Sequence, residues 1–308
     1  MAIKPPILQQ GDTIGIVTLG SPLAANIIND RINTLQNFGF QVVLGQQVYA
    51  ENGFLAGTDE ERAMDLMDMF SDEQVKLILP TRGGVGVAGI LPFLDYSFIE
   101  DHPKLISGYS DITVLLNVLA QNSNLITLQS LMLIDFSLST PSYNYDQFFN
   151  ATSLWSPQRQ IQNPPQLPQV SRVSGNVTGP IVGGNLTSFV DTLGTPYEID
   201  TTGKILLLEE THEPINTVYR YMNALKLAGK FDDCIGIVLG ECTNCPTAYG
   251  VTYEDFINNF VVPLGKPLMT NVATAHGIYK AAIPIGATAN LDTVNNRLTV
   301  MEPTITLP

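Results

Sequence analysis

The chain has 308 residues, 44% of them apolar and only 14% charged, with 15 Lys+Arg against 29 Asp+Glu and a formal charge of −14. Such a length suits two packed domains, the apolar content excludes a disordered chain, and the acidic excess opposes binding of nucleic acid and other polyanions. The opening MAIKPPILQQGDTIGIV lacks the apolar run of a secretory signal, and no stretch has the length of a membrane helix, so a cytoplasmic protein is expected.

Residues 13–18 (TIGIVT) predict a strand, 27–38 a helix and 41–44 a second strand. Residues 60–70 (EERAMDLMDMF) set apolar side chains at helical spacing behind an acidic first turn, which suits the helix dipole. Third and fourth strands are expected at 75–79 (VKLIL) and 104–106. Strands alternating with helices predict an α/β parallel sheet, with a ligand site beyond the carboxyl ends of its strands. Residues 156–169 (SPQRQIQNPPQLPQ) are rich in Pro and Gln and read as a linker between domains at 1–155 and 170–308. Beyond it, strands are expected at 204–208, 235–239 and 297–301, and a helix at 217–227 ended by Gly229, which makes a strand-rich α+β domain.

The turn Gly108-Tyr109-Ser110-Asp111 joins the fourth strand to an apolar helix. Two explanations compete: a Ser or Asp side chain caps the helix, or the bend presents a serine nucleophile, as strand-to-helix turns of hydrolases do. The cluster TRGGVGVAG (81–89) contains Gly84-x-Gly86-x-x-Gly89, the spacing of a dinucleotide fingerprint. It follows the third strand and not the first, and no acidic ribose partner is placed for it; the remaining readings are a loop whose exposed amides serve an oxyanion hole, and an ordinary turn if Ser110 is inert.

A serine nucleophile needs a base, and the chain offers three histidines. His102, before Pro103, reads as a surface loop residue; His212, beside acidic residues at a strand end, and His276, in a loop-like segment, both stay open. Glu209 and Glu210 follow the strand KILLL, and either could orient an imidazole. Cys234, Cys242 and Cys245 are odd in number, which suits a reducing compartment. Cys242-x-x-Cys245 alone lacks the further ligands of a zinc site and the helix of a redox motif, so ordinary burial is expected.

Together, GDTIGIVTLGSP (11–22), GFLAGTDEERAMDL (53–66), RGGVGVAGILPFLDYSFIEDHPKLISGYSDIT (82–113), GPIVGGNLTSFVDTLGTPYEID (179–200), ILLLEET (205–211) and HGIYKAAIPIGA (276–287) resemble the serine-type LD-carboxypeptidase family, over nearly the whole chain and in order. That family contains murein tetrapeptide carboxypeptidases and microcin-immunity hydrolases. The resemblance implies Ser110 as nucleophile, His276 as base, Glu209 as its orienting carboxylate, and the backbone N–H groups of Asp111 and Gly84 as the oxyanion hole. It further implies a flavodoxin-like N-terminal domain, a mainly β C-terminal domain, a site between them, a homodimer, and no metal or cofactor. The implied reaction is removal of the terminal D-alanine from a murein tetrapeptide. Hydrolysis of a peptidyl-nucleotide amide is the alternative, and a non-catalytic small-molecule binding module is the reading from another class.

Two departures from the family pattern stand out. Ala275-His276 replaces the common Gly-His pair, and TLQSL (127–131), with Gln129, stands where a histidine-containing segment is usual. With nucleophile and base on different domains, relative domain position is expected to gate activity.

Overall fold

The computed structural model describes residues 2–307. Short runs rich in Val, Ile and Leu form β1 (Thr13–Val17), β2 (Gln41–Leu44), β3 (Val75–Pro80), β4 (Leu105–Gly108) and β5 (Thr127–Gln129). These pair in parallel in the order β2-β1-β3-β4-β5, the flavodoxin-like doubly wound order. All but β2 are almost wholly buried, as a parallel sheet covered on both faces requires. The connecting helices are α1 (Ala25–Asn37), α2 (Asp59–Ser71), α3 (Tyr96–Asp101) and α4 (Ile112–Asn122), followed by α5 (Ser142–Thr152). Helix α2 starts on a capping box: Thr58 Oγ1 accepts from the Glu61 N–H, and the Glu61 carboxylate accepts from the Thr58 N–H.

The second sheet takes β6 (Arg159–Ile161), β7 (Val170–Val173), β8 (Asn176–Asn185), β9 (Ile205–Thr211), β10 (Gly236–Thr243), β11 (Leu268–Thr270), β13 (Thr288–Asp292) and β14 (Arg297–Val300). Their order is β6-β14-β13-β8-β9-β10-β11-β7. The half is strand-rich, and its four central strands, β8 to β11, run parallel between antiparallel flanks. Helices α6 (Leu186–Val190) and α7 (Ile215–Leu227) lie on the crossovers that such parallel strands need.

Three features bind the halves together. Strand β12 (Ile283–Ile285), far along the chain, pairs antiparallel with β5 and completes the first sheet. One apolar core runs through both sheets, joining Ile112 and Leu116 of α4 to Ile181, Leu207 and Ile285. At its centre the Asn117 amide donates to the Gly183 carbonyl (2.9 Å) and accepts from the Gly183 N–H (2.7 Å). A rotation of one half against the other would open this core and break buried bonds, so the expected gating by domain position finds no hinge here.

The segment 156–169 is not free chain. It carries β6, paired with β14, and the buried Asn163, whose side chain accepts from the Ala273 N–H (2.9 Å).

The cysteine expectation is also corrected, because Cys242 and Cys245 are joined by a disulfide. The turn at the end of β10, with Asn244 at φ 56°, brings their Cα atoms to 5.5 Å, so an odd count leaves one pair and the buried Cys234 thiol, pushed up to about 11 by burial. The argument for a reducing compartment from cysteine number therefore falls. Among the described residues no helix is long and apolar enough to cross a membrane.

Candidate active site

Ser110 sits where β4 ends and α4 begins, at the carboxyl edge of the first sheet, with φ of 61°. A non-glycine residue in that left-handed region costs about 1–3 kcal/mol and persists only where its surroundings impose it. Neither Ser110 nor Asp111 caps the helix through its side chain, so the capping expectation fails. The Asp111 carboxylate instead accepts from the Val87 N–H (2.8 Å) and the Ser188 hydroxyl (3.3 Å), tying the turn to the glycine loop and to α6. Burial pushes its pKa up, while both hydrogen bonds pull it back.

The glycine loop presses against this turn. A Cβ on Gly83 would lie 2.8 Å from Ser110 Cβ and 2.9 Å from the Asp111 nitrogen, so glycine is needed for the approach. Gly84, with φ of 89°, faces Ser21, whose N–H donates to the Gly83 carbonyl (3.2 Å). The peptide between them is trans, so the Gly84 N–H points away from Ser21. Among the described residues, neither that N–H nor the N–H of Asp111 has a hydrogen-bond partner.

His276 Nδ1 lies 2.8 Å from Glu209 Oε2. A carboxylate only accepts, so Nδ1 carries the proton and Nε2 is left as the basic nitrogen. The Glu209 side chain is 1% exposed and its other oxygen has no partner among the described residues. Successive strand residues point to opposite faces, which separates the two glutamates. Glu210 turns toward α6, accepting from Thr187 N–H (2.9 Å), Thr187 hydroxyl (2.7 Å) and Thr211 N–H (2.8 Å). His212 is exposed; its ring meets Thr211 Oγ1 (2.8 Å) and Asn244 (3.4 Å), and no carboxylate among the described residues. His102 lies at the other end of β4, stacked on Phe98.

Tyr109 joins the Ser110 turn to His276. Its ring meets the His276 imidazole edge-on, with centroids 5.2 Å apart, and its hydroxyl donates to Asp135 (3.1 Å). Lys280 stands over the same ring at 5.2 Å and donates to the Gly277 carbonyl (2.7 Å). The Ser110 hydroxyl makes no hydrogen bond to the imidazole, whose Nδ1 is taken by Glu209.

The loop that carries His276 is pinned from several directions. Gln129 donates to Thr274 Oγ1 (3.1 Å), Asn144 donates to the Ile278 carbonyl (3.0 Å) and accepts from the Lys280 N–H (2.9 Å), and Asn163 holds Ala273. Gln129 is thus a buried support for Thr274, two residues before His276. Ala275 has φ of 53°, the conformation a glycine would take without strain. Tyr109, Asp135, Asn144, Lys280 and Gly83 were not singled out from the sequence. Only Gly83 and Tyr109 carried a signal, their adjacency to Gly84 and Ser110.

Models of the LD-carboxypeptidase N-terminal domain and C-terminal domain match residues 14–130 and 178–291. A Bacillus subtilis (strain 168) protein named "probable murein peptide carboxypeptidase" is 35% identical over 298 residues, covering 94% of this chain and 92% of that one. The Escherichia coli microcin C7 self-immunity protein MccF is 28% identical, with 96% and 94% covered. A solved structure of MccF in its wild-type ligand-free state superposes with a TM-score of 0.93 at 25% identity, over 99% of this chain and 100% of that one. With both domain models matched in order across a shared two-sheet fold, the chain belongs to the LD-carboxypeptidase family.

Proposed function

We propose that the protein is a serine carboxypeptidase that removes the terminal D-alanine from murein tetrapeptides. The observation that carries this is the 2.8 Å bond from His276 to the buried Glu209, set on the same wall as the strained Ser110 turn. Ser110 Oγ attacks the carbonyl of the bond between an L-centre and the D-residue while His276 Nε2 takes its proton. Glu209 keeps the imidazole in one tautomer and offsets the charge it gains. The free N–H groups of Asp111 and Gly84 serve as oxyanion donors, each worth about 3 kcal/mol to the transition state. His276 then returns the proton to the leaving amine, and water, deprotonated by the same nitrogen, frees the acyl group from Ser110. The relative named a probable murein peptide carboxypeptidase supports this substrate, and the reading includes a cytoplasmic homodimer acting on recycled wall peptides.

The likeness to MccF favours a second reading, an amide hydrolase acting on a peptidyl-nucleotide. Incubation with murein tetrapeptide and, separately, with an aspartyl-nucleotide conjugate, with products read by mass, divides the two. Release of D-alanine supports the first reading, and turnover of the conjugate alone replaces it with the second. A fluorophosphonate probe should label the wild type and not Ser110→Ala. Absence of label on folded wild type would leave a binding module.

A further inference from the structure

We propose that Arg82 reads the free carboxylate of the residue that leaves, and so makes the site an exopeptidase site. This rests on the carboxypeptidase reading above. The terminal carboxylate of a peptide is two bonds from the scissile nitrogen, so whatever binds it stands beside the nucleophile. Arg82 is the residue before Gly83, which lies in contact with Ser110.

Its backbone is fixed on both sides. The Thr81 carbonyl accepts from the Ile134 N–H (3.1 Å), the Thr81 hydroxyl pairs with Thr18 (2.9 Å), and the Gly83 carbonyl accepts from Ser21. Its charge reaches the phenol of Tyr109, the residue before Ser110 and the one that packs on His276.

The neighbouring cations are already committed and Arg82 is not. Arg62 is spent on the carbonyls of Leu19, Gly57 and Gly86 and on Asp59; Lys280 is spent on the Gly277 carbonyl and the Tyr109 ring. Arg82 is partly buried, and among the described residues it makes no ion pair and no hydrogen bond. A partly buried guanidinium left uncommitted, on the residue before the glycine that presses on Ser110, has a planar fork suited to one carboxylate, held by two parallel bonds. The need is acute in this chain, because a formal charge of −14 repels an anionic peptide until a local cation receives it. A peptide continuing past the scissile bond would bring a neutral amide to the same place and leave the cation unpaired, which is discrimination by an unsatisfied charge.

The test uses full-length Ser110→Ala protein, which binds without turnover, and its Arg82→Gln double variant. Calorimetry is run with murein tetrapeptide and with the same peptide amidated at its C-terminus. Arg82→Gln should weaken the free acid by about 30-fold or more and the amide by less than about threefold. Equal losses on both peptides, no loss on either, or no binding of either peptide to Ser110→Ala would overturn the assignment. Should Arg82→Gln fail to fold, Arg82→Lys replaces it. That variant keeps the charge without the fork and should still lose several-fold on the acid alone; an unchanged acid affinity would count against the fork. Wild-type turnover of the tetrapeptide is measured alongside. Arg82-dependent acid binding without turnover defeats the carboxypeptidase reading and leaves the carboxylate site, whereas turnover without Arg82 dependence defeats only the carboxylate site.

Discussion

Residues 108–111 and residues 272–280 meet at the face of Tyr109, and they are held there by different means. The Ser110 turn is clamped by what immediately surrounds it: β4 before, α4 after, and Gly83 pressed against its side chain. The His276 loop has almost no regular structure and hangs on single polar side chains, Gln129, Asn144 and Asn163 from three separate parts of the chain, and on its own Lys280. A turn between two packed elements tolerates loss of any one contact. A loop suspended on isolated bonds does not, and each buried bond lost there strands a polar partner at a cost of about 1–3 kcal/mol.

The largest expected effect separates the two histidines at the second sheet. His276→Ala should lower kcat/KM for murein tetrapeptide by about 10⁵-fold or more, as loss of a general base does in a serine hydrolase. His212→Ala should stay within about threefold, since among the described residues its exposed ring meets only Thr211 and Asn244. The opposite outcome would move the base to the other strand end.

Next comes the nucleophile side. Gly83→Ala drives a methyl group to within 3 Å of Ser110 and Asp111. A loss of about 100-fold in kcat is expected, with the melting temperature shifted by only a few degrees. An intact rate would mean that the glycine loop does not shape the oxyanion site.

A smaller effect is expected at Ala275. Left-handed backbone costs an alanine about 1 kcal/mol relative to glycine, so Ala275→Gly should raise stability by up to about that amount in urea unfolding, with activity kept. A loss of stability would show that the methyl group's packing outweighs the backbone strain.

The smallest is a pH dependence. Glu241, beside the base loop, has its carboxyl pushed up by burial and by the charge of Glu209, with Lys280 opposing. A folded pKa above the unfolded 4.5 means that this group's contribution is fully present below 4.5 and is lost as pH rises through the folded value. Glu241→Gln should therefore flatten the decline in melting temperature from pH 4.5 toward neutrality. A steeper decline would mean that Lys280 stabilises the ionised carboxylate.

The same contrast governs what could be read from the sequence. The parallel sheet and the Ser110 turn follow from short apolar runs and from residues adjacent along the chain, where local pattern carries information. Choosing Glu209 over Glu210 requires knowing which face of β9 looks at His276, and two neighbouring glutamates do not reveal that. The Gln129 to Thr274 bond spans 145 positions, and nothing local marks either residue as a partner. Strand β12 is three residues with a proline inside, which reads as loop, and its register opposite Thr127–Gln129 exists only once the first sheet has formed. In the segment 156–169, proline and glutamine content concealed both a strand and Asn163, because composition averages over the one residue that matters.

Strand β12 also bears on the order of events at the ribosome. Until residues 283–285 emerge, β5 presents an unpaired edge, so the sheet that carries Ser110 is complete only after they have been made. Fragments that stop before β12 should be prone to edge-to-edge association. In the proposed reading, Ser110 would then stay without its base until the same late segment delivers His276, so that a partly synthesised chain carries no working hydrolase.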